Sequence, residues 1–428
     1  MFTYIVRALS GLRLDFAVLR SLKNRNYRLF FVGQGVSLIG TWMQQIAMSW
    51  LVYRLTGSAL LLGVVGFSGR IPSFLLAPVA GVLADRWNRR RLLVVTQSLA
   101  MLQAFCLSAL ILTKTITIWQ LIMFSVILGC VNSFDIPTRQ AFVVEMLEKK
   151  EDLGNAIALN SSLVNGARLI GPAIAGILIA AVGEGICFLL NGISYIAVIA
   201  ALLMMGIRKP AAQAQAKKGF MHELREGFSY AFGFSPIRHI LLLLALMSFM
   251  GMPYQVLMPI FAGGILKGGP HTLGFLMGAS GLGALGGAVF LASRKSSPRL
   301  GMTTPLAAAV FGVGLMVFSQ SRLLWLSLPV ISVAGFGMMV QMASSNMILQ
   351  SIVDDRRRGR VMSLFTMAFM GMVPFGSLLA GWLASRIGAP STLFASGFCC
   401  VAGALLFSTR LPALKKELAP VYEQKGIA

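Results

Sequence analysis

Carboxylates are scarce in this chain. Only 14 Asp and Glu stand among 428 residues, and all charged residues together make up 12%. A water-soluble domain carries about twice that fraction. Histidine is scarcer still, at three residues, and forms no HExxH or similar ligand spacing. No metal site is therefore expected. The five cysteines, Cys106, Cys130, Cys187, Cys399 and Cys400, all lie in apolar runs without a CxxC pair. They read as buried core residues, not as a disulfide framework. No GK[ST] occurs anywhere, and the glycines at 274, 278, 281, 283, 286 and 287 sit inside an apolar run. A nucleotide loop is thus unsupported. With no nucleophile and base set either, neither an enzyme nor a bound cofactor is expected.

What the chain has in abundance is apolar surface. Hydrophobic residues make up 57%, and the mean hydropathy is +0.78. In water such a chain would expose large apolar patches, so lipid is its solvent. Twelve runs long enough to span a bilayer lie near 29–54, 60–84, 92–112, 117–136, 154–182, 186–206, 238–266, 272–293, 302–320, 324–347, 361–384 and 391–409. The first is too long for a cleaved signal peptide. Lys and Arg number 37, giving a net charge of +23. They fall between the runs and form no single basic face, which argues against nucleic acid. Thirty of the 37 lie in the N-terminal segment, in alternate loops and in the C-terminal tail. Five, Arg54, Lys114, Lys267, Arg322 and Arg386, lie in the opposite loops, and Arg70 and Arg168 fall inside runs. The positive-inside rule then places both termini in the cytoplasm.

The polar stretch 207–237, beginning near RKPAAQAQAKKG, separates residues 1–206 from 238–428. Each part holds six runs, and the parts are repeats. Glycines at 154, 166, 171, 176 and 183 recur at 359, 371, 376, 381 and 388, a constant offset of 205. The expected fold is all-α, with twelve transmembrane helices in two six-helix pseudo-repeat bundles. Transporters built from such repeats bind substrate between them near the midplane. Glycines also crowd the second and eighth runs, where small residues let membrane helices approach closely.

Residues 81–91 read GVLADRWNRRR. This resembles the signature loop of the major facilitator superfamily, with Gly81, Asp85, Arg86, Arg89 and Arg90 in its pattern and Asn88 where a glycine is usual. Asn accepts a left-handed backbone nearly as well, so the departure is small. In that loop a carboxylate such as Asp85 would latch the halves by meeting the positive N-terminus of the eleventh span. The arginines would meet acids such as Glu145, Glu148, Asp354 or Asp355. DIPTRQAFVVEML (135–147), NAIALNSSLVNGARLIGPAIAG (155–176) and NMILQSIVDDRRRGRVMSL (346–364) are similar to the enterobactin-exporter-like branch of siderophore and drug exporters. Gly166, Gly171, Pro172 and Gly176 resemble the superfamily's antiporter motif, with one residue more between Gly-Pro and the next glycine. The resemblance implies a multi-pass protein of the bacterial inner membrane that moves a small molecule by alternating access, with protons as coupling partner. An importer or lipid flippase on the same fold, or a membrane sensor or assembly protein, are the alternatives.

An arginine inside a span is costly and faces a cavity or a partner, so Arg70 and Arg168 are candidate contacts for an anionic substrate. Gln34, Ser37, Thr41 and Gln44 or Gln45 make a polar stripe on one face of the first span. With Asn132, Gln255 and Gln341, the stripe is expected to line the cavity. Asp135, with Arg139 or Arg168, is the candidate proton-coupling group.

Overall fold

In lipid a spanning segment must satisfy its own backbone groups, and a helix does so without outside partners. The computed structural model describes residues 16–206, 228–293, 300–354 and 357–424, and every regular element among them is helical. The first half holds α1 (Arg25–Thr56), α2 (Ala59–Ser68), α3 (Ile71–Arg86), α4 (Arg89–Leu112), α5 (Ile118–Glu145), α6 (Leu153–Val182) and α7 (Glu184–Met204). The second holds α8 (Ser235–Leu246), α9 (Tyr254–Ile260), α10 (Pro270–Ala292), α11 (Leu300–Gln320), α12 (Leu324–Ile352), α13 (Arg358–Met370), α14 (Met372–Ile387) and α15 (Ala389–Gln424). Among the described residues eleven segments are long and apolar enough to cross a membrane. The expected first span forms α1, which is 32 residues long but is not one of the eleven. Its glutamines and hydroxyls dilute its apolar content. The bundle's outer surface is apolar: Leu75 is 63% exposed, Leu306 67%, Leu406 69% and Trp325 86%. Water would not tolerate such a surface, whereas lipid does.

Three expected spans are interrupted. The run 60–84 is split into α2 and α3 at Gly69 and Arg70, and Pro72 occupies the first turn of α3, where a missing N–H costs least. The run 361–384 is split into α13 and α14 at Gly371. The run 238–266 becomes α8, a π turn Met247–Gly251, α9 and a second π turn Phe261–Ile265. Pro253 and Pro259 remove amide donors there, and a widened turn re-registers the ladder. The expected linker 207–237 falls largely on 207–227, outside the described residues, and α8 starts at Ser235 instead of 238. At the other terminus α15 continues to Gln424, well past the expected 409.

Two glycine seams join the halves. Helix α2 packs on α14, and α6 packs on α10. A Cβ on Gly63 would stand 2.7 Å from the Ser377 carbonyl oxygen and 3.0 Å from Cα of Gly381. A Cβ on Gly176 would stand 2.8 Å from the Pro270 carbonyl oxygen and 3.0 Å from Cα of Gly274. Gly176 and Gly381 are one of the 205-spaced pairs, so the seams are copies of one contact. The next pair, Gly183 and Gly388, ends its helices with φ of 84° and 82°, values other residues rarely adopt. Both seams lie toward the end of the bundle where Arg54 Nε donates to Glu184 Oε1 at 2.7 Å, here termed the Arg54 end. At the opposite, Asp85 end, Gly81, Gly154 and Gly359 face open space.

Candidate functional site

Helices that meet at one end enclose a space behind the seam. A cavity of about 250 Å³ lies there, walled by α1, α2, α5, α7, α9 and α10. Thr41, Gln44 and Gln45 of the α1 stripe reach it, as do Arg70, Asn132 and Gln255. Gln34 and Gln341 do not line it. Gln34 lies two turns nearer the Asp85 end, is 2% exposed, and its Oε1 has no hydrogen-bond partner among the described residues. Gln341 is equally buried because α12 packs against α10 and α11, away from the seam, and its Nε2 donates to Ser345 Oγ at 3.3 Å.

The α1 stripe is held by a chain of amides. Asn191 Nδ2 donates to Gln44 Oε1 at 2.6 Å, Gln44 Nε2 donates to Gln103 Oε1 at 3.0 Å, and Gln103 Nε2 donates to the Phe124 carbonyl at 3.3 Å. Every link fixes the next, so Gln44 presents a set orientation to the cavity. Gly40 makes room for this, since a Cβ there would fall 2.4 Å from Asn191 Oδ1. Gln103 and Asn191 were not expected at the site. Their only signal is an amide inside an apolar run.

Arg70 follows Gly69 at the break between α2 and α3 and lines the cavity. Helix α5 closes against this break: a Cβ on Gly129 would stand 2.7 Å from the Gly69 carbonyl oxygen, and Ser73 Oγ donates to the Gly129 carbonyl at 3.1 Å. Arg168, on α6, does not line the cavity. Its guanidinium carbon lies 5.9 Å from the centroid of the Trp42 ring, within cation–π range. It is within electrostatic reach of Arg70. Gly171 brings α6 onto α1 at this level, because a Cβ would fall 2.5 Å from Trp42 Cβ. Pro172 is buried beside it, Gly176 forms the seam with Gly274, and Gly166 faces open space.

Asp135 is 2% exposed and does not line the cavity. Arg139, not Arg168, is its cation. Arg139 Nη2 lies 2.7 Å from Asp135 Oδ2, while Oδ1 accepts from Gln97 Nε2 at 2.7 Å and from Thr96 Oγ1 at 3.0 Å. Both carboxylate oxygens are therefore engaged. At the signature loop, the side chains of Asp85 and Arg86 lie outside the described ones. Arg89 pairs with Glu145, and Arg90 donates from Nε and Nη2 to the Leu202 and Leu203 carbonyls at 2.6 Å each. These partners all belong to the first half. Asn88 is not left-handed: its φ is −66°, and its Oδ1 accepts from Arg91 N at 3.0 Å as the N-cap of α4. Among the described residues no group of three His, Cys, Asp or Glu side chains comes together as a metal site.

Comparison with known proteins accords with this architecture. Residues 16–425 match the family described as transmembrane secretion effector. The chain is 28% identical to the staphyloferrin A transporter of Staphylococcus aureus, over 91% of this chain and 98% of that protein. It is 24% identical to macrolide efflux protein A of Streptococcus pyogenes, over 89% and 96%. It is 25% identical to the multidrug efflux pump Tap of Mycobacterium tuberculosis, over 91% and 92%. Among solved structures, a bacterial homologue of the lysosomal transporter Spinster superposes with a TM-score of 0.71 at 11% identity, over 92% of this chain and 98% of that one. A bacterial homologue of the iron transporter ferroportin gives 0.67 at 15%, over 91% and 98%. At such identities these superpositions establish the fold alone. The repeat seams, the cavity between the halves, the signature loop and the match along nearly the whole chain together show that this multi-pass membrane protein belongs to the transmembrane secretion effector family of the major facilitator superfamily.

Proposed function

We propose that this protein exports a small organic molecule, siderophore-like or drug-like, across the bacterial inner membrane by alternating access driven by the proton gradient. The observation that carries the reading is the asymmetry of the bundle: the two glycine seams join the halves toward the Arg54 end, while nearer Asp85 helix α3 has no comparable packing on α13 among the described residues. The positive-inside rule supports a cytoplasmic Asp85 end and cytoplasmic termini, and on this reading the substrate enters from inside the cell. The halves 1–206 and 238–428 act as the two moving bodies, with 207–237 as tether. When they rock, Asp85 approaches the N-terminal turn of α13 and latches the cytoplasmic side, with Gly81, Arg86, Arg89 and Arg90 shaping that loop. Gly166, Gly171, Pro172 and Gly176 let α6 slide and bend at the seam. Arg70, Thr41, Asn132 and Gln255 contact substrate, and Asp135 exchanges the proton, since protonating it would release Arg139. The named relatives export or transport a siderophore, a macrolide and multiple drugs, which supports efflux.

The test compares cells with and without the gene, with intracellular pools and medium analysed by mass spectrometry. Efflux predicts a compound that accumulates inside the deletion strain and disappears from its medium. Failed uptake of a nutrient would instead identify an importer. Unchanged pools in both compartments would reject small-molecule transport in favour of a flippase or sensor.

A further inference from the structure

The cavity's charge is unbalanced. Arg70 lines it, and its guanidinium meets no acceptor among the described residues. Arg168 lies behind the wall on the Trp42 ring, near enough for the two cations to repel each other.

The sequence removes the candidate counter-ions in turn. No Asp or Glu occurs between Glu226 and Asp354, so the second-half helices facing the cavity supply none. Asp135 has both oxygens occupied by Arg139, Thr96 and Gln97. Glu184 is held by the Nε and Nη2 atoms of Arg54, at 2.7 and 3.2 Å. Asp85 is fifteen residues along α3 from Arg70, about 22 Å at helical rise. An intramembrane cation without a fixed partner is tolerated where it faces a cavity that receives one.

We propose that the substrate supplies the missing charge: the cavity takes a small organic molecule bearing at least two carboxylates, one bound by Arg70 and one by Arg168. The guanidinium fork suits a carboxylate, which accepts two parallel N–H bonds. A second carboxylate draws Arg168 from the Trp42 face toward the cavity, and the fixed Gln44 amide together with Thr41 and Asn132 orients the uncharged part. This inference rests on the central cavity being the substrate site.

The experiment is a thermal-shift titration of the purified full-length protein in detergent. The probes are di- and tricarboxylates, their monocarboxylate counterparts and their methyl esters. Polycarboxylates should stabilise most, monocarboxylates less and esters not at all. Arg70→Gln and Arg168→Gln should each weaken polycarboxylate binding by about tenfold or more, the loss of one charge-assisted contact, while Arg70→Lys keeps part of it. The ligand-free midpoint of each variant shows whether it is folded. Esters that bind as well as acids, wild-type affinity in Arg70→Gln, or no response to any acid would overturn the proposal. Failure of the transport reading is separately visible. Polycarboxylates that bind in a carrier that exports nothing leave the charge inference standing, whereas export of only neutral or cationic compounds removes it and spares efflux.

Discussion

Asn88 and Asp135 show how one side chain's role depends on what its neighbours leave for it. Asn88 caps α4 through Arg91 N and has ordinary backbone angles. Asn88→Ala should therefore cost about 1 kcal/mol and Asn88→Gly only a few tenths, read as unfolding free energy in mixed micelles. A glycine variant more stable than wild type would mean a left-handed backbone after all. At Asp135, an Asn substitution keeps acceptors for Thr96 and Gln97 but leaves Arg139, whose side chain is 21% exposed, without its anion. Breaking such a pair costs roughly 3 kcal/mol. If Asp135 carries the coupled proton, Asp135→Asn should also lose accumulation driven by a pH gradient while keeping substrate exchange across proteoliposomes. Gradient-driven export at the wild-type level would take Asp135 out of the coupling role. The sequence pointed to Asp135 because carboxylates are so rare in the spans. It gave no sign of Thr96 or Gln97, since a hydroxyl or amide in an apolar helix looks the same whether it faces an acid or a neighbouring turn.

At the scale of the element, the informative positions are glycines that meet a backbone. Gly176 touches the Pro270 carbonyl and Gly274, and Gly63 touches the Ser377 carbonyl and Gly381. These neighbours are backbone atoms and cannot rotate aside. Gly176→Val and Gly63→Val should each hold the helices apart and open the Arg54 end. The check is labelling of a single cysteine introduced near that seam by an impermeant maleimide, which should rise several-fold. Unchanged labelling would mean that the seam is not the closing contact. Gly154 has open space around it, so Ala there should leave this labelling unchanged. The repeat spacing marked which glycines correspond. The breaks at Gly69 and Gly371 and the two π turns escaped the sequence because hydropathy is blind to hydrogen-bond register. A proline or glycine in an apolar run signals a bend only when a neighbouring helix fills or opens the space beside it.

For the whole molecule, the charge distribution and the seams make a joint prediction. Reporter fusions after Leu112 and after Gln320 should report the extracytoplasmic side, and fusions after Met204 and Gln424 the cytoplasm. The reverse result would turn the open Asp85 end outward and invert the transport reading. Asp85→Asn should slow turnover while leaving substrate affinity near wild type, because the latch biases which end is open and does not touch the cavity. Wild-type turnover in transport assays would remove the latch.

The sequence by itself determined the solvent, the helical class, the repeat and the family. Each of these follows from composition or one-dimensional spacing: apolar runs require lipid, lipid requires internally bonded backbone, and duplicated glycines report duplicated contacts. Tertiary structure alone decided which polar residues share a cavity. A helix presents residues all around its axis, and only the packing of α12 away from the seam and of Gly40 onto Asn191 settles that Gln44 faces the site while Gln341 does not. The two interior arginines were plain in the sequence. That Arg70 faces the cavity, while Asp135 and Glu184 are already committed to other cations, is a matter of distances between helices far apart in the chain.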